Sequence, residues 1–74
     1  MSPEEFFRSA PFGSRIRYGN PSSPIVTVNF IVRRGTMYAH GIEDGTRDRV
    51  FLILDNHQLK DPNRGRFDSV EVLE

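Results

Sequence analysis

The side chains with chemistry to offer are two histidines, His40 and His57, and the aspartates Asp44, Asp48 and Asp55. His57 lies two residues beyond Asp55, a spacing that would let the pair share a proton at the end of a strand. His40, Glu43 and Asp44 are the natural candidates for a metal site, but they match no recognised ligand spacing. The chain has no glycine-rich phosphate loop, no serine elbow and no zinc-hydrolase motif. It also has no cysteine, which removes disulfides, zinc–thiolate sites and thiol redox chemistry together. These readings predict no catalytic residue, no metal and no cofactor, and so a binding module rather than an enzyme.

Arginine is the other chemical resource. Nine of the ten basic residues are arginine, whose planar fork matches phosphates and base edges. Arg15 and Arg17 alternate onto one strand face, and Arg33 and Arg34 close the next strand. If those strands lie together, four guanidiniums form one patch near Tyr38 and Phe12. Arginine beside an exposed aromatic is how single-stranded nucleic acid is held, phosphate paired and base stacked. Arg64 and Arg66 add a second basic set in the polar segment 56–66, with His57, Lys60 and Asn63. The candidate nucleic-acid-binding residues are therefore Arg15, Arg17, Arg33, Arg34, Tyr38, Arg64 and Arg66. The competing reading buries Tyr38 in the core and leaves the arginines as a solvated face.

Formal net charge is zero over 74 residues, which argues against a generic electrostatic binder of nucleic acid. The charge is unevenly spread: residues 1–40 hold five arginines and two glutamates, whereas residues 41–74 hold five basic and eight acidic groups. Opposite halves suit head-to-tail self-association or a localised anionic ligand. No stretch approaches the roughly 20 apolar residues of a membrane span. The start, Met1-Ser2-Pro3-Glu4-Glu5, is acidic where a signal peptide is basic, so a cytoplasmic protein is expected.

The elements that must position these groups read as one mainly β domain over residues 1–74. Ser2-Pro3-Glu4-Glu5 is a helix start, with Ser2 as cap, proline at the first helical position and Glu5 at capping-box spacing. The helix runs over about residues 3–10, carries Phe6 and Phe7, and stops at Pro11. From about residue 14 to 73 the period changes to two. Ile16 and Tyr18 share one face of the first strand. Val26, Val28, Phe30 and Val32 form the apolar stripe of the second, over Ile25–Arg33. Arg34-Gly35 turns into a third strand through Met37-Tyr38-Ala39-His40, and Asp44-Gly45 is a hairpin signal. Val50–Leu54 is apolar on both faces, as a central barrel strand would be. Residues 55–66 read as a long polar loop, and Ser69–Leu73 as a closing fifth strand. Five short strands favour closure into a small barrel, which leaves no open edges.

A helix followed by five strands at this length resembles the Sm fold of Sm, LSm and Hfq-type proteins, also found in WYL domains. Pro24-Ile25-Val26-Thr27-Val28, running to Gly35, looks like the second strand and glycine turn of that family. Gly41-Ile42 resembles its glycine–aliphatic pair, and the run Asp48-Arg49-Val50-Phe51-Leu52-Ile53-Leu54-Asp55-Asn56 is similar to the Hfq-type strand. Arg64-Gly65 is similar to an Arg-Gly pair that contacts RNA in the second Sm motif. The departures are specific. Val50 stands where Hfq-type proteins have a stacking aromatic, Leu52 where Sm proteins have a base-reading asparagine, and Phe67-Asp68 replaces the basic-aromatic signature of the last strand. A competing resemblance, to WYL domains, rests on Arg66-Phe67-Asp68-Ser69-Val70-Glu71-Val72-Leu73, with Met37-Tyr38-Ala39 in the place of Trp-Tyr-Leu.

These resemblances imply an Sm/SH3-like five-stranded barrel with an N-terminal helix. They imply RNA or another nucleic acid as ligand and a homo-oligomer closed by strand-edge pairing. The alternative is a protein–protein interaction module on the same barrel, such as a small phage-type inhibitor of a host protein.

Overall fold

The computed structural model describes residues 1–73. Helix α1 spans Pro3–Ser9. Seven strands follow: β1 (Arg15–Arg17), β2 (Val26–Val32), β3 (Tyr38–Glu43), β4 (Arg49–Asp55), β5 (Gln58–Asp61), β6 (Gly65–Phe67) and β7 (Glu71–Val72). They form one antiparallel sheet in the order β6-β5-β4-β3-β2-β1-β7. The sheet is a meander whose last strand returns beside the first. Only residues 68–70 separate β6 from β7, so the sheet's two edges lie within about 15 Å of each other at that end. The architecture is a curled half-barrel of seven strands, where five were expected.

The two additional strands lie in the segment read as a loop. Asn56 and His57 both have positive φ, 52° and 64°, which makes the two-residue turn between β4 and β5 a left-handed hairpin turn. Asparagine favours that conformation and histidine tolerates it. The next turn is held by Asp61, whose Oδ1 accepts from the Asn63 N–H at 2.9 Å and whose carbonyl accepts from the Arg64 N–H at 3.0 Å. Polar composition hid both hairpins, because β5 and β6 bury no apolar side chain beyond Leu59 and the half-buried Phe67.

Helix α1 closes the open side of the curl. Ser2 caps it by accepting from the Glu5 N–H at 3.2 Å, and Pro3 begins it. Phe6 and Phe7 are fully buried and meet edge to face, ring centroids 5.0 Å apart. Each contributes roughly 1.5–3 kcal/mol by leaving water. Beneath them the inner sheet face stacks in cross-strand rows: Val28 with Gly41 and Val50, Ile31 with Ala39 and Leu52, and Leu54 with Leu59 and Phe67. At Gly41 the backbone packs so closely that a Cβ would sit 2.6 Å from Val26 Cγ1 and 2.8 Å from the Thr27 carbonyl oxygen.

The pairing of β2 with β3 slips by one residue between Val28 and Phe30, leaving Asn29 unopposed in a bulge. Alternation therefore breaks within β2. Val26 and Val28 face the core, but beyond the bulge Ile31 does so, and Phe30 goes to the outer face. The expected single stripe of Val26, Val28, Phe30 and Val32 is corrected accordingly.

Candidate functional site

The bulge and the two-sided apolar character of β4 together build the outer face of β2–β3–β4. Register puts Phe30 opposite His40 and His40 opposite Phe51. The rings touch along this row: Phe30 to His40 at 6.0 Å between centroids, and His40 to Phe51 at 5.0 Å. Tyr38 joins at 5.7 Å from His40 and 5.6 Å from Phe51. Four rings thus form one patch at the centre of the sheet, and it faces water. Phe30 is 48% exposed, Phe51 37% and the neighbouring Ile42 38%. A core-forming role would have buried these side chains against the helix, which lies on the other face.

Cations flank the patch on both sides. The row Thr27–Ile42–Arg49 borders it on one side. On the other lies the row Tyr38–Ile53–Lys60–Arg66. Arg34 sits in the exposed turn after Val32, the partner of Tyr38. Among the described residues, the side chains of Arg34, Arg49 and Lys60 make no hydrogen bond or ion pair, so their charges face solvent.

The arginines singled out from sequence are mostly committed elsewhere. Strands β1 and β2 do pair, but antiparallel, with Arg15 opposite Thr27. Arg33 then lies six residues along β2, about 20 Å away in an extended strand. The register separates Arg15 and Arg17 from Arg33 and Arg34, and the four-guanidinium patch does not form. Arg15 Nη2 donates to Asp44 Oδ2 at 2.8 Å, and Arg17 pairs with Glu71 at 3.4 Å. The Arg15 bond, with one from Thr27 at 3.0 Å, holds the Asp44 carboxyl below the usual aspartate range. Arg33 bridges sheet and helix, its Nε donating to the Phe7 carbonyl at 2.7 Å and its Nη2 to the Ala10 carbonyl. Arg66 meets Asp55 at 2.7 Å. Of the seven candidates, Tyr38 and Arg34 belong to the aromatic face. Phe12 is exposed after the helix and makes no ring contact with Tyr38 among the described residues.

Arg64 belongs to a polar tie at one end of the curl. Its Nη2 donates to Glu43 Oε1 at 2.8 Å and its Nη1 to the Tyr18 hydroxyl at 3.3 Å, with the guanidinium 6.0 Å from the Tyr18 ring. Tyr18 donates in turn to Asp61 Oδ2 at 2.6 Å. Burial first, then the Asp61 carboxylate, pushes the Tyr18 hydroxyl far above the ordinary tyrosine range. The tie satisfies the buried carboxylates of Glu43 and Asp61 and fixes the β5–β6 turn, a structural duty.

The histidines do not form the arrangements their spacing suggested. His57 is exposed, and its Nδ1 lies 2.8 Å from Glu4 Oε1 of the helix rather than against Asp55. His40 sits among rings, and no group of three or more metal-ligating side chains occurs among the described residues. Val50 and Leu52, where the resembled families place base-contacting residues, point into the core. Sequence reasoning missed Phe30, His40 and Phe51 as a surface set. The available signal was aromatics on both sides of a strand, at Phe51 and its pairing partners. Comparison with protein-family models, with curated proteins and with solved structures finds no match to this chain.

Proposed function

We propose that the protein binds single-stranded nucleic acid, RNA in the first instance, on the outer face of β2–β3–β4. The observation that carries this reading is the exposed ring cluster of Phe30, Tyr38, His40 and Phe51, bordered by the unpaired cations Arg34, Arg49 and Lys60. Every base has a face that stacks on an aromatic ring, and each such contact is worth about 1–3 kcal/mol. A sheet keeps its rings at fixed spacing, so little ordering is needed when bases arrive. Zero net charge does not oppose the reading, because contact with phosphate depends on the local cations.

In this reading the fold is a variant Sm-like barrel. The helix-first order, the meander and the return of β7 beside β1 support that relation. The edges of β6 and β7 would serve homo-oligomer assembly by strand addition. A cytoplasmic location goes with it; no helix among the described residues is long and apolar enough to cross a membrane. A second reading, docking of a protein partner, is favoured by the apolar content of the same face at Phe30, Ile42 and Phe51.

The test is fluorescence anisotropy with a labelled uridine oligomer at several salt concentrations. Three phosphate contacts predict a log–log salt slope of magnitude about 2. Phe51→Ala should weaken binding about 5- to 150-fold, the equivalent of one lost stacking contact. Salt-sensitive binding that Phe51→Ala leaves unchanged removes this face as the site. Absence of any binding turns the reading to the protein partner.

A further inference from the structure

The ring cluster explains affinity for bases in general but gives no means of telling one base from another. Beside it lies a cleft of about 300 Å³ lined by Asn29, His40, Gly41, Ile42 and Arg49. That volume is at the lower end of pockets that enclose small ligands. Its polar groups come from two devices. Asn29 is the unopposed residue of the β2 bulge, and its exposed side-chain amide makes no hydrogen bond among the described residues. Arg49 begins β4 opposite Ile42, and its guanidinium is likewise unpaired. His40 is shared between the cleft and the ring cluster, so a strand stacked on Phe30, His40 and Phe51 passes the mouth of the cleft.

We propose that this cleft receives one purine base of the bound strand and reads its edge through Asn29 and Arg49. The inference rests on the nucleic-acid reading of the ring cluster. The chemistry selects purines because their N7 accepts a hydrogen bond beside a second polar group. An asparagine amide matches N6 and N7 of adenine, and a guanidinium matches O6 and N7 of guanine. A pyrimidine has no N7 and leaves the two side chains without that pairing. Ile42 and the ring of His40 supply apolar walls for the faces of the base. The bulge has a purpose in this scheme, since it turns Asn29 outward next to Phe30, and bulges often re-aim side chains at sites.

The experiment compares a uridine oligomer with the same oligomer carrying one central adenosine or guanosine. Wild type is expected to bind at least one purine-containing oligomer about tenfold tighter than the plain one. Asn29→Ala should reduce that ratio with affinity for plain uridine unchanged. Arg49→Gln should reduce it too while also weakening plain uridine binding, since Arg49 is one of the three flanking cations, and the double variant should bring the ratio to about one. Thermal unfolding of each variant checks that the fold persists; both side chains are exposed. Equal binding of all oligomers by wild type, with binding still lost in Phe51→Ala, overturns the purine cleft and leaves the stacking face standing. No binding of any oligomer overturns both.

Discussion

Replacing Tyr18 with phenylalanine removes a core hydroxyl with two hydrogen bonds, the longer of them accepted from Arg64 Nη1 at 3.3 Å. The hydroxyl donates to Asp61 Oδ2 at 2.6 Å, and both residues are nearly inaccessible, 4% and 3% exposed. Without it, Oδ2 keeps only the Arg64 guanidinium at 3.9 Å, while Oδ1 retains the Asn63 N–H. The ring still packs on Phe67 at 5.0 Å, so the packing loss is small. A hydrogen bond to a charged group contributes about 1.5–3 kcal/mol, and a loss of about 2 kcal/mol is expected. For a domain of this size each kcal/mol moves the thermal midpoint by about 4–8 °C, which predicts a fall of about 8–16 °C at neutral pH.

The pH dependence follows from the raised Tyr18 hydroxyl. Folded protein holds that proton more tightly than unfolded chain, whose tyrosine titrates near 10. The associated stability is complete below about pH 10 and declines as pH rises toward the folded value. Tyr18→Phe has no such proton, so the gap between wild type and variant should narrow above about pH 10. The assay is circular dichroism melting of both proteins from pH 7 to 11. Midpoints within about 2 °C at pH 7, or a gap that stays constant to pH 11, would refute the account of this tie.

Gly41→Ala should destabilise the fold by about 1–3 kcal/mol, because the new methyl group meets the Thr27 carbonyl oxygen and Val26 at overlap distance; urea titration reads the loss, and an unchanged midpoint contradicts the close approach. Arg33→Ala should release the end of α1 from the sheet by removing donors to the Phe7 and Ala10 carbonyls, at a cost of about 1–2 kcal/mol. Faster amide hydrogen exchange across Phe6–Ala10, with strand amides little changed, is the expected signature.

The helix was legible in the sequence because its signals are local: Ser2, Pro3 and Glu5 act within one turn, and the observed cap uses those residues. Strands β1 and β2 were legible from period-two apolar residues, β3 from the turn before it and β4 from a run apolar on both faces. Residues 55–66 were not, since their first hairpin turns on Asn56-His57 without glycine and their strands are mostly polar. The site was the least legible part. Arg15 and Arg33 lie on adjacent strands yet far apart, because antiparallel register, not adjacency, decides what meets. Tyr38 lies in the ring cluster and Arg34 beside it, but neither has the neighbours that the sequence suggested. Phe30 was assigned to the core because alternation carries no mark of the residue at which a strand slips.

That slip also ties the protein's surface chemistry to its length. Deleting Asn29 alone would join Val28 to Phe30 in regular pairing and leave Phe30 outward and Ile31 inward, because the bulge already absorbs the extra residue. The outward set of Phe30, His40 and Phe51 thus survives loss of the residue together with its bulge, and what goes is the Asn29 amide alone. One extra residue in a plain strand adds a polar group to the surface without turning any neighbour over.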